Sequence, residues 1–264
     1  MNKREAEKMY KKLISDDVSG AGFTFLKSTF QKKHPATYSI DEIPLSWRKI
    51  YFKTYPRLMQ IMIGKHLKNN GVKKSDLILF LQKRRSQRMS KSKSLNLDTI
   101  SKILHFSAGI NNMTDKKNLD ESKRMYPSAG ARYPLEIYSV VLNSKNIPPG
   151  LYHYNIKWDT LELLLKKNLK VEMKKITGQN WTAKSGIIII ITAVFARATI
   201  KYKESGWRYI FFEAGHLAQN IYLLSTLLNL KCCAIGGFLD EKIIELLDIN
   251  PKTELPLYMI CIGN

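Results

Sequence analysis

Residues 187–195 read Ile-Ile-Ile-Ile-Ile-Thr-Ala-Val-Phe, without a single charge. The run is about half of the roughly 20 residues that a membrane-crossing helix needs. Five consecutive β-branched isoleucines favour an extended chain over a helix. A strand with no polar alternation has no wet face and must be covered on both sides. A chain containing it is expected to build a sheet around it and to lay helices on the faces of that sheet.

The remaining sequence supplies those parts. Leu135 to Leu142 reads as a strand after the turn at Pro127 to Gly130. Leu151 to Ile156 and Thr160 to Leu165 read as a hairpin around Lys157-Trp158-Asp159, and Cys232 to Ile235 and Leu257 to Ile262 as two later strands. Asn96 is placed to cap a helix with Leu97, Ile100, Ile103 and Leu104 on one face. Further helices are expected near Leu169 to Ile176, from Glu204 to Asn229, and from Glu241 to Leu247. In the longest of these, Phe211, Phe212, Gly215, Ala218, Tyr222 and Ser225 recur at three- and four-residue steps. The order gives an α+β fold, a mixed central sheet flanked by helices, over residues 81–264. Residues 1–80 read as a mainly helical extension, with helix formers at Arg4 to Ser15 and a second stretch at Pro44 to Phe52. Asn111 to Lys123 reads as a loop.

A hydrophobic fraction of 44% and a charged fraction of 25% are globular values, and 264 residues hold one large domain with an extension. The net charge of +21 comes from lysines scattered along the chain, which points to a solvated basic surface able to steer acidic peptides. No nucleic-acid motif accompanies that charge, so neither nucleic acid nor membrane is expected as a partner. Cys232, Cys233 and Cys261 offer no disulfide framework and no metal-ligand spacing, and all three are expected as core thiols. The opening Met1-Asn2-Lys3-Arg4-Glu5 leads into no apolar h-region, which implies a cytoplasmic location.

Three short motifs carry chemistry. Arg84-Arg85-Ser86-Gln87-Arg88 groups guanidinium forks and a hydroxyl that can hold a phosphate monoester. Pro127-Ser128-Ala129-Gly130 places small residues at a turn before a strand, where backbone can approach a flat ring. Gly236-Gly237 follows a strand, with amides free to donate to an anionic ring atom. Each motif alone also fits an ordinary basic face or tight turn.

In this order, together with Glu213-Ala214-Gly215-His216-Leu217-Ala218-Gln219-Asn220, the motifs resemble the SagB/McbC type of azoline dehydrogenase. That group is a branch of the nitroreductase-like FMN oxidoreductases, and the resemblance runs from about Leu81 onward. The segment from Trp47 to Leu58 looks like the leader segment of the branch that modifies peptides. The resemblance implies a nitroreductase-like fold, an FMN cofactor and a homodimer with FMN at its interface. It implies that Arg84, Arg85 and Ser86 hold the phosphate and ribityl chain, and that Arg88 approaches the pyrimidine edge. Pro127, Ser128, Ala129 and Gly130 would lie against the ring, with Gly236 and Gly237 near N5. No basic residue follows Gly263, so phosphate binding is expected to rest on the arginine cluster.

Lys201-Tyr202 matches a lysine-tyrosine pair that this branch uses catalytically. Turning a thiazoline or oxazoline into an azole removes a hydride and a carbon-bound proton, so a base is needed, and either residue can serve. The implied partners are a precursor peptide, a YcaO-type cyclodehydratase and a leader-recognising protein. The rival readings are an NAD(P)H-dependent FMN reductase of dehydroamino acids or nitro compounds, and a non-catalytic scaffold subunit. His216 is expected to pack within its helix, and Glu213 with Arg208 to form an ion-pair element.

Overall fold

The structure is a computed structural model that describes residues 24–25, 76–111 and 123–264. The helical stretches expected within the first 80 residues and the segment from Trp47 to Leu58 lie outside the described residues, apart from residues 24–25 and 76–80. Most of the loop expected between Asn111 and Lys123 does so too. The chain divides into two units, residues 1–34 with 84–264, and residues 35–83. Of the second unit the structure describes helix α1 (Asp76–Lys83), whose last turn carries Lys83, a favourable charge at a helix C-terminus.

In the first unit, α2 (Leu97–Ala108) is followed by the strands β1 (Leu135–Val141), β2 (Gly150–Asn155) and β3 (Thr160–Leu165). Helix α3 (Lys170–Thr177) then leads to β4 (Ile187–Val194). Two consecutive helices, α4 (Ala196–Tyr202) and α5 (Ser205–Leu227), separate β4 from β5 (Lys231–Ile235). Helix α6 (Asp240–Leu247) and β6 (Glu254–Gly263) complete the chain.

The strands form one six-stranded sheet in the order β3-β2-β1-β4-β6-β5. All five strand pairings are antiparallel, rather than the mixture expected from strands alternating with helices. The helical return through α4 and α5 does leave β4 and β5 running the same way. β6 slots between them in the opposite direction, so no two neighbouring strands in the sheet are parallel.

All eight residues of β4 are buried. Ile187, Ile189, Ile191 and Ala193 face one core layer, shared with Ile100 and Ile103 of α2 and Ile210 and Leu217 of α5. Ile188 and Ile190 face the other, shared with Met173 of α3 and Ile243 of α6. The continuous apolar run is thus explained by two covered faces.

Asn96 caps α2 as expected, its side chain accepting from the Thr99 N–H at 2.7 Å. Leu97, the first residue of that helix, is exposed while Ile100, Ile103 and Leu104 are buried. In α5 the buried stripe runs through Trp207, Ile210, Ala214, Leu217, Ala218 and Ile221. Phe211, Phe212 and Gly215 face outward instead, because a helix with two apolar stripes can turn only one of them to the sheet. Cys232 and Cys261 belong to the core, whereas Cys233 is half-buried beside Arg88, since neighbouring strand residues point to opposite faces.

Candidate active site

The turn before β1 is tightly wound. Gly130, Ala131 and Tyr133 take left-handed backbone angles, with φ of 57°, 52° and 45°. Such angles are costly for residues bearing a Cβ, about 1–2 kcal/mol each. A hydroxyl clamp holds them: Ser128 Oγ accepts from the Tyr133 N–H at 2.8 Å and donates to Glu213 Oε2 at 2.6 Å. Arg124 stacks over the Tyr133 ring with 4.7 Å to its centroid, and its backbone N–H donates to the Tyr133 hydroxyl at 3.0 Å.

Lys201 and Tyr202 end the short helix α4 and meet this turn. A Cβ on Gly130 would lie 2.3 Å from the Tyr202 hydroxyl and 2.7 Å from Lys201 Nζ, so any side chain there would displace those two groups and sit at a strained left-handed angle. The ammonium of Lys201 lies 5.3 Å from the Tyr202 ring centroid, and Tyr209 braces that ring edge-on at 5.0 Å. Gly206 lets α5 approach α4 closely, because a Cβ there would sit 3.1 Å from the backbone of Ala198 and Thr199. Two motifs separated by some seventy residues in sequence are thus brought to one point.

The basic motif is placed by the other end of the sheet. The Gln87 N–H donates to the Cys232 carbonyl at 2.8 Å, laying the segment along β5. The Tyr222 hydroxyl accepts from the Ala234 N–H at 2.8 Å and shares a 3.0 Å hydrogen bond with Ser86 Oγ. Arg84 lies over the Tyr222 ring at 5.6 Å and Arg88 over the Trp181 ring at 6.0 Å. Arg85 donates to the Arg84 carbonyl at 2.9 Å. Gly236, just past β5, is exposed, with nothing within 4 Å of where a Cβ would point. The arginine cluster and the glycine pair therefore lie together beside β5, with open space next to Gly236 and cations able to take an anion.

The two groups attach to α5 through Glu213 and Tyr222. Nine helical steps, about two and a half turns, set these about 13.5 Å apart along the axis and on opposite sides of the helix. The expected cofactor residues are thus divided into two clusters, Arg84 to Arg88 with Gly236-Gly237, and Pro127 to Gly130 with Lys201-Tyr202.

Glu213 and Tyr222 are the residues that sequence reasoning missed as site-builders. Glu213 bonds to Ser128 rather than pairing with Arg208, because it lies on the buried stripe of α5 while Arg208 is exposed. Burial pushes its carboxyl up to about 7, with the Ser128 hydrogen bond and Arg124 pulling back, and its Oε1 has no partner among the described residues. His216 is exposed rather than packed, since it lies on the outward face of α5. Asn220 donates to the carbonyls of Ser107 and Met125 at 3.3 and 3.1 Å, fastening the segment that enters the turn.

Residues 81–264 match the nitroreductase family. The chain is 35% identical over 193 residues to a Methanocaldococcus jannaschii protein named as a nitroreductase, covering 73% of this chain and 91% of that one. It is 27% identical over 148 residues to the microcin B17-processing protein McbC of Escherichia coli, covering 54% of each chain. With the trifolitoxin-processing protein TfxB of Rhizobium leguminosarum bv. trifolii it shares 28% identity over 170 residues, covering 61% of this chain and 45% of that one. The chain thus spans about half the length of these two processing proteins. Among solved structures, a chain of the E. coli microcin synthetase McbBCD complex with truncated pro-MccB17 bound has the same fold. Its TM-score is 0.73 at 20% identity, over 95% of this chain and 96% of that one. Among the described residues, no helix is long and apolar enough to cross a membrane.

Proposed function

The chain belongs to the nitroreductase family, and from that premise we propose that it is an FMN-dependent dehydrogenase oxidising thiazoline or oxazoline rings to azoles in a ribosomally made precursor peptide. The observation that carries this reading is the convergence of Lys201 and Tyr202 on Gly130. Azoline oxidation must remove a proton from ring carbon, and this convergence puts two titratable groups at one point for that task. The likeness to two peptide-processing proteins points the same way.

The residues present fit FMN. Arg84, Arg85, Ser86 and Arg88 would hold the phosphate and ribityl chain and place a cation by the pyrimidine edge. The exposed Gly236 and the half-buried Gly237 leave room for the ring, and Pro127, Ser128, Ala129 and Gly130 would form its second wall. The two clusters lie on different sides of α5, and in the homodimer proposed here that second wall would come from the partner subunit. Bound there, FMN supplies the acceptor for the hydride that leaves the azoline.

The chain's own residues do the remainder. One of Lys201 and Tyr202 takes the ring-carbon proton, with Tyr209 fixing the phenol and Gly206 fixing the helix that presents the pair. The Ser128–Glu213 hydrogen bond sets the turn against which the substrate ring rests. Oxygen would return the cofactor to its oxidised state. A YcaO-type cyclodehydratase would supply the azoline, and a leader-recognising protein would deliver the peptide.

The test is the visible spectrum of the purified protein, followed by anaerobic mixing with an azoline-bearing peptide and, separately, with NADPH. Bleaching by the peptide, with a loss of about two hydrogens per ring in its mass, is the expected result. Lys201→Ala and Tyr202→Phe should each keep the yellow colour and lose ring oxidation. Bleaching by NADPH alone would replace the proposal with the reductase reading, and a protein that cannot be loaded with FMN would leave a scaffold.

A further inference from the structure

Behind the turn that carries Gly130 lies a polar cleft of about 460 Å³, lined by Arg124, Arg132, Lys157 and Arg197 with Glu136 and His153. Its charge is one-sided. Glu136 is the single carboxylate in the lining, and both its oxygens are engaged, Oε1 by Arg197 at 2.5 Å and Oε2 by His153 at 2.9 Å. Burial pushes Glu136 up, but His153 and Arg197 together outweigh it and hold the carboxyl below its ordinary value, so it stays ionised.

The other cations lack such a partner. Among the described residues, no carboxylate lies within ion-pair distance of Arg124, Arg132 or Lys157. Arg132 uses its Nε on the Arg197 carbonyl at 2.8 Å, which aims the guanidinium without neutralising it. Arg124 is held by the Tyr126 hydroxyl and the Tyr133 ring. Two positioned guanidinium groups, Arg124 and Arg132, with the exposed Lys157, whose ammonium lies 5.2 Å from the Trp158 ring centroid, surround a concave space whose lone carboxylate is already satisfied, and together they form a receptor for an oxyanion.

The cleft's place suggests which oxyanion. Ala131 lines it and Gly130, the next residue, touches Lys201 and Tyr202. Arg197 and Lys201 stand four residues apart on α4, one helical turn or about 6 Å along the axis. An extended peptide covers that span in about two residues. We propose that the cleft binds a side-chain carboxylate of the peptide substrate, that of an Asp or Glu one to three residues from the reacting ring. This rests on the peptide reading above and adds to it a preference for acidic sequence beside the ring.

The inference is tested by binding rather than turnover, so its failure is separate from any failure of ring oxidation. The whole purified chain is titrated calorimetrically with two thiazole-bearing peptides that differ only in having Asp or Asn two residues from the ring, and with inorganic phosphate. The Asp peptide should bind about tenfold more tightly than its Asn twin, the worth of a charge-assisted contact. In Arg132→Gln/Lys157→Gln, both sites being exposed, that preference should vanish with the melting temperature unchanged, and Arg132→Lys/Lys157→Arg should keep most of it. Equal binding of the two peptides, or a preference that survives the double neutralisation, overturns the assignment. Phosphate binding that the double variant loses, without any Asp preference, would give the cleft to a free anion and also overturn it.

Discussion

The hydroxyl of Ser128 lies 2.6 Å from the buried carboxyl of Glu213, and this bond ties the wound turn before β1 to the longest helix of the fold. Burial raises the Glu213 carboxyl from 4.5 to about 7. The folded protein therefore keeps a proton that the unfolded chain releases at lower pH, and stability falls as pH climbs through this window, by roughly 3 kcal/mol in all. Glu213→Gln should flatten that decline, which thermal melts from about pH 5 to about pH 8 would show. An equally steep decline in the variant would remove Glu213 as its source.

Glycines 130 and 236 should respond differently to the same change. Gly130→Ala places a methyl group on the Tyr202 hydroxyl and strains a left-handed residue, so ring oxidation should fall sharply and stability by about 1–2 kcal/mol. Gly236→Ala projects into open space and should leave the melting temperature unchanged while weakening flavin retention. Melting curves and flavin absorbance after desalting separate the two cases.

Removing one oxygen at Tyr222 should loosen the basic motif. Tyr222→Phe leaves the Ala234 N–H and Ser86 Oγ without their shared partner, at about 1–2 kcal/mol of stability. FMN affinity should drop although no arginine has been touched, and fluorescence titration of FMN would measure it. Unchanged affinity would mean that Ser86 is held by other contacts.

His153 stands between two carboxylates, Glu136 and Glu162, both at 2.9 Å. The Glu136 hydrogen bond raises its pKa most, burial opposes, and Glu162 adds to the rise. The stabilisation is therefore complete below the ordinary imidazole value of 6.5 and is lost as pH rises through the higher folded value. His153→Gln should be destabilised mainly at the acid end of that range, and the ring resonances of His153 should titrate above those of a free imidazole.

How much of this was legible in the sequence depended on whether the signal was local. The isoleucines of β4, the cap at Asn96 and the Lys157 to Asp159 hairpin are written in neighbouring residues, and the fold followed from them. The outward turn of Phe211 and Phe212 was not legible, because two apolar stripes on one helix compete and only the sheet decides between them. Glu213 was misread as an ion-pair residue, although a carboxyl on the same stripe as Ile210 and Leu217 was a visible sign of a buried role. Tyr222 carried no sign at all, since its partners Ser86 and Ala234 are set by the sheet edge. The cationic cleft draws Arg124, Lys157 and Arg197 from three distant segments, which no local pattern could have joined.

The position of β4 also bears on how the chain is made. Its partners are β1, synthesised earlier, and β6, the last strand of this sequence to leave the ribosome. Until β6 arrives, five isoleucines of high β-propensity have one open hydrogen-bonding edge, the kind of segment that seeds aggregation. The nascent chain thus carries its most adhesive stretch with one edge unpaired while the roughly 60 residues between β4 and β6 are made, and chaperone cover during that interval should govern its yield more than any property of the finished fold.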